Sequence, residues 1–247
     1  MSERIWDDFL TEQDMAVFKA SGYGTRGDWG QRPALLVIDV SYGFTGEIDE
    51  PILDSIKTWP NSCGHFAWRS VPHLQKLLTA ARAKTLPIIY TTGHYRKDQW
   101  DMGSWAWKNG RTDDWEGHGQ NRDANDIIDE IAPQPQDIVI RKLKPSAFSG
   151  TPLKSFLTLL GADSLIVTGT STSGCVRASV IDAFSENYRV TLAEEGCFDR
   201  SEASHAINLC DMNAKYANVM STDEVINHIK TLPDELFDLP SGKPSIF

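Results

Sequence analysis

Three side chains far apart in the sequence carry the chemistry: Cys175, Asp39 and Lys142. Cys175 follows Gly169, Thr170, Ser171, Thr172, Ser173 and Gly174, small residues that permit a sharp turn and close backbone approach. The pattern predicts that Cys175 opens a helix with Val176, Val180, Ala183 and Phe184 as its apolar face. At a helix N-terminus the macrodipole and the free N–H groups of the first turn favour the thiolate, the nucleophilic form. The chemistry on offer is attack by sulfur beside donors suited to an anion. Asp39 interrupts an apolar run, where a carboxylate must be paired or functional.

These residues need a scaffold that brings them together. Pro33 to Val40 (PALLVIDV) is a near-continuous apolar run, as expected of a strand buried on both faces. Pro87–Thr91, Asp137–Arg141, Leu165–Val167, Arg189–Ala193 and Ala217–Met220 read as further strands. Helical spacing recurs between them at His73–Ala83, Leu153–Leu160, Ser204–Lys215 and after Ser221, with a short helix near Ile127–Ile131. Thr151 and Pro152 supply a cap and first-turn pair, and Gly161 a stop. Alternating strands and helices predict an α/β, three-layer, doubly wound fold: a roughly six-stranded parallel sheet with helices on both faces. In such sheets ligands bind beyond the carboxyl ends of the strands, at a topological switch point. Asp39 ends the first strand, Lys142 follows the third and Cys175 the fourth, so all three converge on one crevice.

The 247 residues suffice for one α/β domain at 31–247, preceded by an aromatic arm at 1–30 that needs a surface to pack on, its own core or a neighbouring subunit. A formal charge of −10 and the lack of a basic cluster argue against nucleic acid and membrane partners. The sequence holds no apolar run long enough to span a bilayer and no signal-peptide core. Cys63, Cys175, Cys197 and Cys210 form no CxxC pair, which fits reduced thiols in the cytoplasm. From Gly93 to about Ala124 the chain is polar, with Trp100, Trp105, Trp107 and Trp115, and reads as a functional loop or lid.

Singly, each chemical residue has an ordinary reading: a free cysteine as a small core residue, a lysine among Arg141, Lys142 and Lys144 as a solvated charge, Asp39 as a turn cap. Their coincidence at strand ends weakens all three. Gly169–Ser173 lacks the last glycine of a serine nucleophile elbow, and no HExxH pair or dinucleotide fingerprint occurs.

Three blocks, PALLVIDVSYGF (33–44), IRKLKPSAFSGTPL (140–153) and LIVTGTSTSGCVRASVIDAF (165–184), resemble the isochorismatase-like cysteine hydrolases. A weaker match runs from Glu194 to Val225. The resemblance is greatest to the branch of N-carbamoylsarcosine and maleamate amidohydrolases. It implies Asp39, Lys142 (rather than Lys144) and Cys175 as catalytic residues, with Phe44 lining the pocket. It also implies a cis peptide at Thr170–Ser171 that aims the N–H groups of Ser171 and Cys175 at an oxyanion. Arg200, 25 residues after the cysteine, matches an arginine that grips a substrate carboxylate in that branch. Ser41 and Gly43 depart from the Gln and acidic residue common in the superfamily.

The His set of the nicotinamidase metal site is not matched: His94 stands just after the second strand and His118 well downstream. No metal and no cofactor is therefore expected. The implied activity is hydrolysis of a linear amide or ureido bond in a small carboxylate, N-carbamoylsarcosine or, alternatively, maleamate or ureidoacrylate. A homo-oligomer, dimer or tetramer, is also implied. A different class stays open: a binding or assembly protein that has kept the fold without the activity.

Overall fold

A computed structural model describes residues 4–108 and 122–240. Trp115 and His118 lie outside the described residues. Six strands, β1 (Pro33–Ile38), β2 (Ile88–Gly93), β3 (Ile138–Lys142), β4 (Ser164–Thr170), β5 (Arg189–Phe198) and β6 (Asn218–Met220), form one parallel sheet in the order β3-β2-β1-β4-β5-β6. The direction of winding reverses between β1 and β4, the central pair. Both are buried along their whole length: β1 is apolar throughout, and β4 has an apolar centre, Leu165–Val167, flanked by small polar residues and Gly169.

The helices are α1 (Glu12–Ser21), α2 (Tyr42–Thr45), α3 (Ile52–Thr58), α4 (His65–Ala83), α5 (Ser104–Lys108), α6 (Leu153–Leu160), α7 (Arg177–Ser185), α8 (Glu202–Lys215) and α9 (Thr222–Thr231). Two apolar cores sandwich the sheet. One face of β1 (Leu35, Val37) packs with Leu74 and Leu77 of α4 and Val225 of α9. The other (Ala34, Leu36, Ile38) packs with Leu153 of α6, Val180 of α7 and Leu209 of α8. Adjacent strand residues pointing to opposite cores is the period-two rule of a strand covered on both sides.

Several boundaries move for physical reasons. The helix expected from His73 begins at His65 and carries Pro72 inside it. Proline forfeits one backbone bond there, offset by burial of Ala67 and Val71. The fifth strand runs on to Phe198, past Glu194 and Glu195, whose charge hides the strand in the sequence. Glu195 is satisfied by the Thr222 N–H (2.6 Å) and hydroxyl (2.8 Å). Phe184, expected on the apolar face of the helix after Cys175, is half exposed and meets Tyr216 edge-on, whereas Val176, Val180 and Ala183 are buried. Only a short 3-10 turn, Asp129–Ile131, stands where a helix near Ile127–Ile131 was expected.

The arm packs on the chain's own domain. Trp6 enters the core, the Arg4 guanidinium donates to the Val219 carbonyl (2.7 Å), and a capping box between Thr11 and Asp14 starts α1. Among the described residues no helix is long and apolar enough to cross a membrane.

Candidate active site

Strand β1 delivers Asp39, which follows Ile38 with φ of 53°. That left-handed backbone is uncommon for a residue with a side chain and clusters at functional sites. The Asp39 N–H donates to the Thr91 carbonyl (3.1 Å), and the Thr91 hydroxyl donates to Asp39 Oδ1 (2.7 Å). The other carboxylate oxygen lies 2.7 Å from Lys142 Nζ at the end of β3. Lys142 also donates to the Lys144 carbonyl (3.0 Å), so the buried Asp39 carboxylate and one backbone carbonyl hold its ammonium. Burial alone would pull Lys142 down, yet the Asp39 carboxylate and the Cys175 sulfur hold it above the ordinary lysine value.

Cys175 comes from β4. Gly169 has φ of 105°, and a Cβ there would sit 2.1 Å from the Ile38 carbonyl oxygen. Glycine is therefore required where β4 passes β1 just before the turn. The Thr170–Ser171 peptide is cis, at the position expected. The next residues, Thr172–Val176, form a π-type turn, not the first turn of an α-helix, and α7 starts only at Arg177. The turn is pinned below: Asp199 accepts from the Ser173 N–H (2.8 Å) and hydroxyl (2.7 Å), and Thr172 Oγ1 lies 2.7 Å from His205 Nδ1. Ser179 in α7 donates to the Cys175 carbonyl (2.7 Å) and accepts from the Ala147 N–H (2.9 Å). One hydroxyl thus ties the nucleophile turn to the loop after β3.

The expected low thiol pKa is corrected by this setting. Burial and the negative charge of Asp39 push Cys175 up to about 12, against the pull of Lys142. Cys175 shares the pocket wall with Asp39 and Lys142, and both charges act on its sulfur. A dipole argument fails because the thiol is enclosed and does not head a regular helix.

A pocket opens over these three residues. Phe44, Asn61, Tyr95, Trp105, Asn125 and Lys144 line it as well. Phe44 takes the expected place. Arg200 does not line the pocket: it lies behind, donating to the Asn61 carbonyl, with its guanidinium 5.6 Å from the centre of the Phe44 ring. Its backbone N–H, not its side chain, binds Asp199. Of the tryptophan cluster, Trp105 faces the pocket while Trp100 and Trp107 are exposed.

Tyr95 has no signal in the sequence that singles it out. Burial pushes its phenol up to about 12, against the pull of Lys142. Thr91 and Ser179 escape sequence reasoning too, since single hydroxyls in apolar or helical segments carry no distinctive pattern. Among the described residues no group of three His, Cys, Asp or Glu side chains could hold a metal.

A family model, the isochorismatase domain, matches residues 33–224. An N-carbamoylsarcosine amidase from Arthrobacter sp is 34% identical over 227 residues, covering 90% of this chain and 80% of that protein. A maleamate amidohydrolase from Pseudomonas putida is 29% identical over 211 residues, 85% of this chain and 92% of the relative. The crystal structure of a cysteine hydrolase from Pseudomonas syringae pv. phaseolicola superposes with a TM-score of 0.71, covering 84% of this chain and 99% of that one at 24% identity. That likeness speaks for the fold.

Proposed function

This chain belongs to the isochorismatase family of hydrolases, and from that premise we propose that it is a cysteine-dependent amidohydrolase. Its reaction is hydrolysis of a linear amide or ureido bond in a small carboxylate, of the N-carbamoylsarcosine type, with release of ammonia. One observation carries the reading: the Cys175 thiol is enclosed with a buried Asp39–Lys142 ion pair at the ends of β1, β3 and β4. A purely structural ion pair has no need of a thiol beside it in the wall of a pocket.

In the proposed mechanism Asp39 takes the thiol proton as the sulfur attacks the carbonyl carbon, and Lys142 keeps the charge near the sulfur balanced. The N–H groups of Ser171 and Cys175 receive the tetrahedral oxyanion. Protonated Asp39 then returns its proton to the departing nitrogen, which leaves as ammonia. Asp39 next takes a proton from water, whose oxygen attacks the thioester carbonyl. The Cys175 thiol re-forms and the acid leaves, as a carbamate if the substrate is a ureido acid. Arg200, behind Phe44, adds positive charge that favours a substrate carboxylate without touching the reacting atoms, so it affects binding more than chemistry.

The relative from Pseudomonas putida keeps maleamate as the alternative substrate. Ammonia release would be measured with N-carbamoylsarcosine, other N-carbamoyl amino acids, maleamate, ureidoacrylate and nicotinamide, with Cys175→Ala as control. Ammonia from an acidic compound, lost in Cys175→Ala, supports the proposal. Silence throughout, with Cys175 inert to alkylation, favours a binding protein of the same fold. A homo-oligomer is also proposed, with exposed Phe9 and Tyr23 of the arm as the contacts to test by light scattering.

A further inference from the structure

The charges around the pocket do not cancel. Asp39 and Lys142 neutralise one another, which leaves Lys144 as the uncompensated charge among the described lining residues. Its ammonium donates to the Met102 carbonyl (3.1 Å), and no carboxylate of the described residues forms an ion pair with it. Arg200 adds a second cation behind Phe44, also spent on a carbonyl. A positive pocket in a chain of formal charge −10 runs against the background and favours an anionic ligand.

We propose that Lys144 makes the direct contact with the substrate's carboxylate at the pocket mouth, as a specificity-determining residue, with Arg200 in a supporting place. The inference rests on the amidohydrolase reading and deepens it, because it names the residue that selects acids over neutral amides. Lys144 holds two positions at once. Its carbonyl accepts from the Lys142 ammonium, and its own ammonium donates to the Met102 carbonyl, at the base of the segment that carries Trp105. A carboxylate reaching Lys144 is thereby registered against the Asp39–Lys142 pair by one residue's backbone. A carbonyl is a weaker partner for an ammonium than a carboxylate, so the incoming anion can compete for Nζ.

Two alkylating reagents of similar size test this whatever the natural substrate is. Iodoacetate and iodoacetamide both form an S–C bond at Cys175 and expel iodide, but only iodoacetate is charged. Rates would be measured on the intact protein and on Lys144→Gln and Lys144→Arg, with Cys175→Ala to identify the reacting thiol. Lys144→Gln keeps a donor for Met102 and removes the charge. The expected result is a fall of about tenfold in the iodoacetate rate relative to iodoacetamide, recovered in Lys144→Arg. An equal loss with both reagents would assign Lys144 to holding the Trp105 segment and overturn the proposal. An unchanged ratio would overturn it as well. Failure of the amidohydrolase reading looks different, with no ammonia from any compound while the reagent ratio still depends on Lys144.

Discussion

Asp39 Oδ2 lies 2.7 Å from Lys142 Nζ, with both side chains about 95% buried. The pair spans the sheet from the central strand β1 to the edge strand β3, skipping β2, which contributes Thr91 to the second carboxylate oxygen. A buried pair stabilises little in net terms, but one partner left alone is costly. Under the proposed function, its placement beside a thiol gives it a second use.

Replacing Asp39 with Asn should separate turnover from thiol acidity. Loss of the base should lower kcat by a factor of about 100 to 10,000. The same change removes a negative charge that holds the thiol pKa up and leaves Lys142 in place. Alkylation of Cys175 by iodoacetamide at pH 8 should therefore become faster while ammonia release fails. Slower alkylation would contradict the assigned electrostatics.

Lys142→Met should strand the Asp39 carboxylate in an apolar setting. Denaturant unfolding is expected to show a loss of about 3–5 kcal/mol, partly recovered in the double variant Asp39→Asn/Lys142→Met. A single variant as stable as the parent would mean that water reaches the pair.

Ser179→Ala removes the hydroxyl between the Cys175 carbonyl and the Ala147 N–H. The orphaned amide predicts a cost of about 1–3 kcal/mol. Because the nucleophile turn and the lysine loop would lose their tie, kcat should fall more than KM rises. Initial rates over a range of substrate concentration check the split.

Alkaline pH should destabilise the protein through its thiols. Folding raises Cys175 from 9.0 to about 12 and Cys63 from 9.0 to about 11, chiefly by burial. Between those values the unfolded chain has lost protons that the folded chain keeps, so stability falls as pH rises. The contribution is whole below pH 9 and is lost as pH approaches the folded values. Thermal melts should show Tm dropping from pH 8.5 to 10.5, with a shallower drop in Cys175→Ala than in the parent. Equal slopes would show that Cys175 does not hold its proton in the folded state.

Legibility in the sequence followed the strength of the local pattern. Strand β1 was readable because it is buried on both faces and apolar throughout, and Asp39 stood out against that background. Strand order and the reversal beside β1 locate the crevice where the strand-end rule expects it. Three-dimensional features left no such trace. The thiol's protonation depends on enclosure by residues from β1 and β3, and the position of Arg200 depends on how Phe44 and Asn61 pack in front of it. Tyr95 sits in an irregular stretch after β2 with no periodicity to mark it.

The placement of β4 between β1 and β5 also bears on synthesis. A ribosome delivers β1, β2 and β3 first, and these already contain Asp39, Lys142 and Thr91. Until β4 emerges, the apolar β1 has an open flank whose backbone groups invite pairing with other chains. Insertion of β4 closes that flank and brings Cys175, in the turn that follows it, to Asp39 and Lys142. A nascent chain stalled before residue 164 is thus at once inert and prone to aggregate, so the same strand ends both conditions.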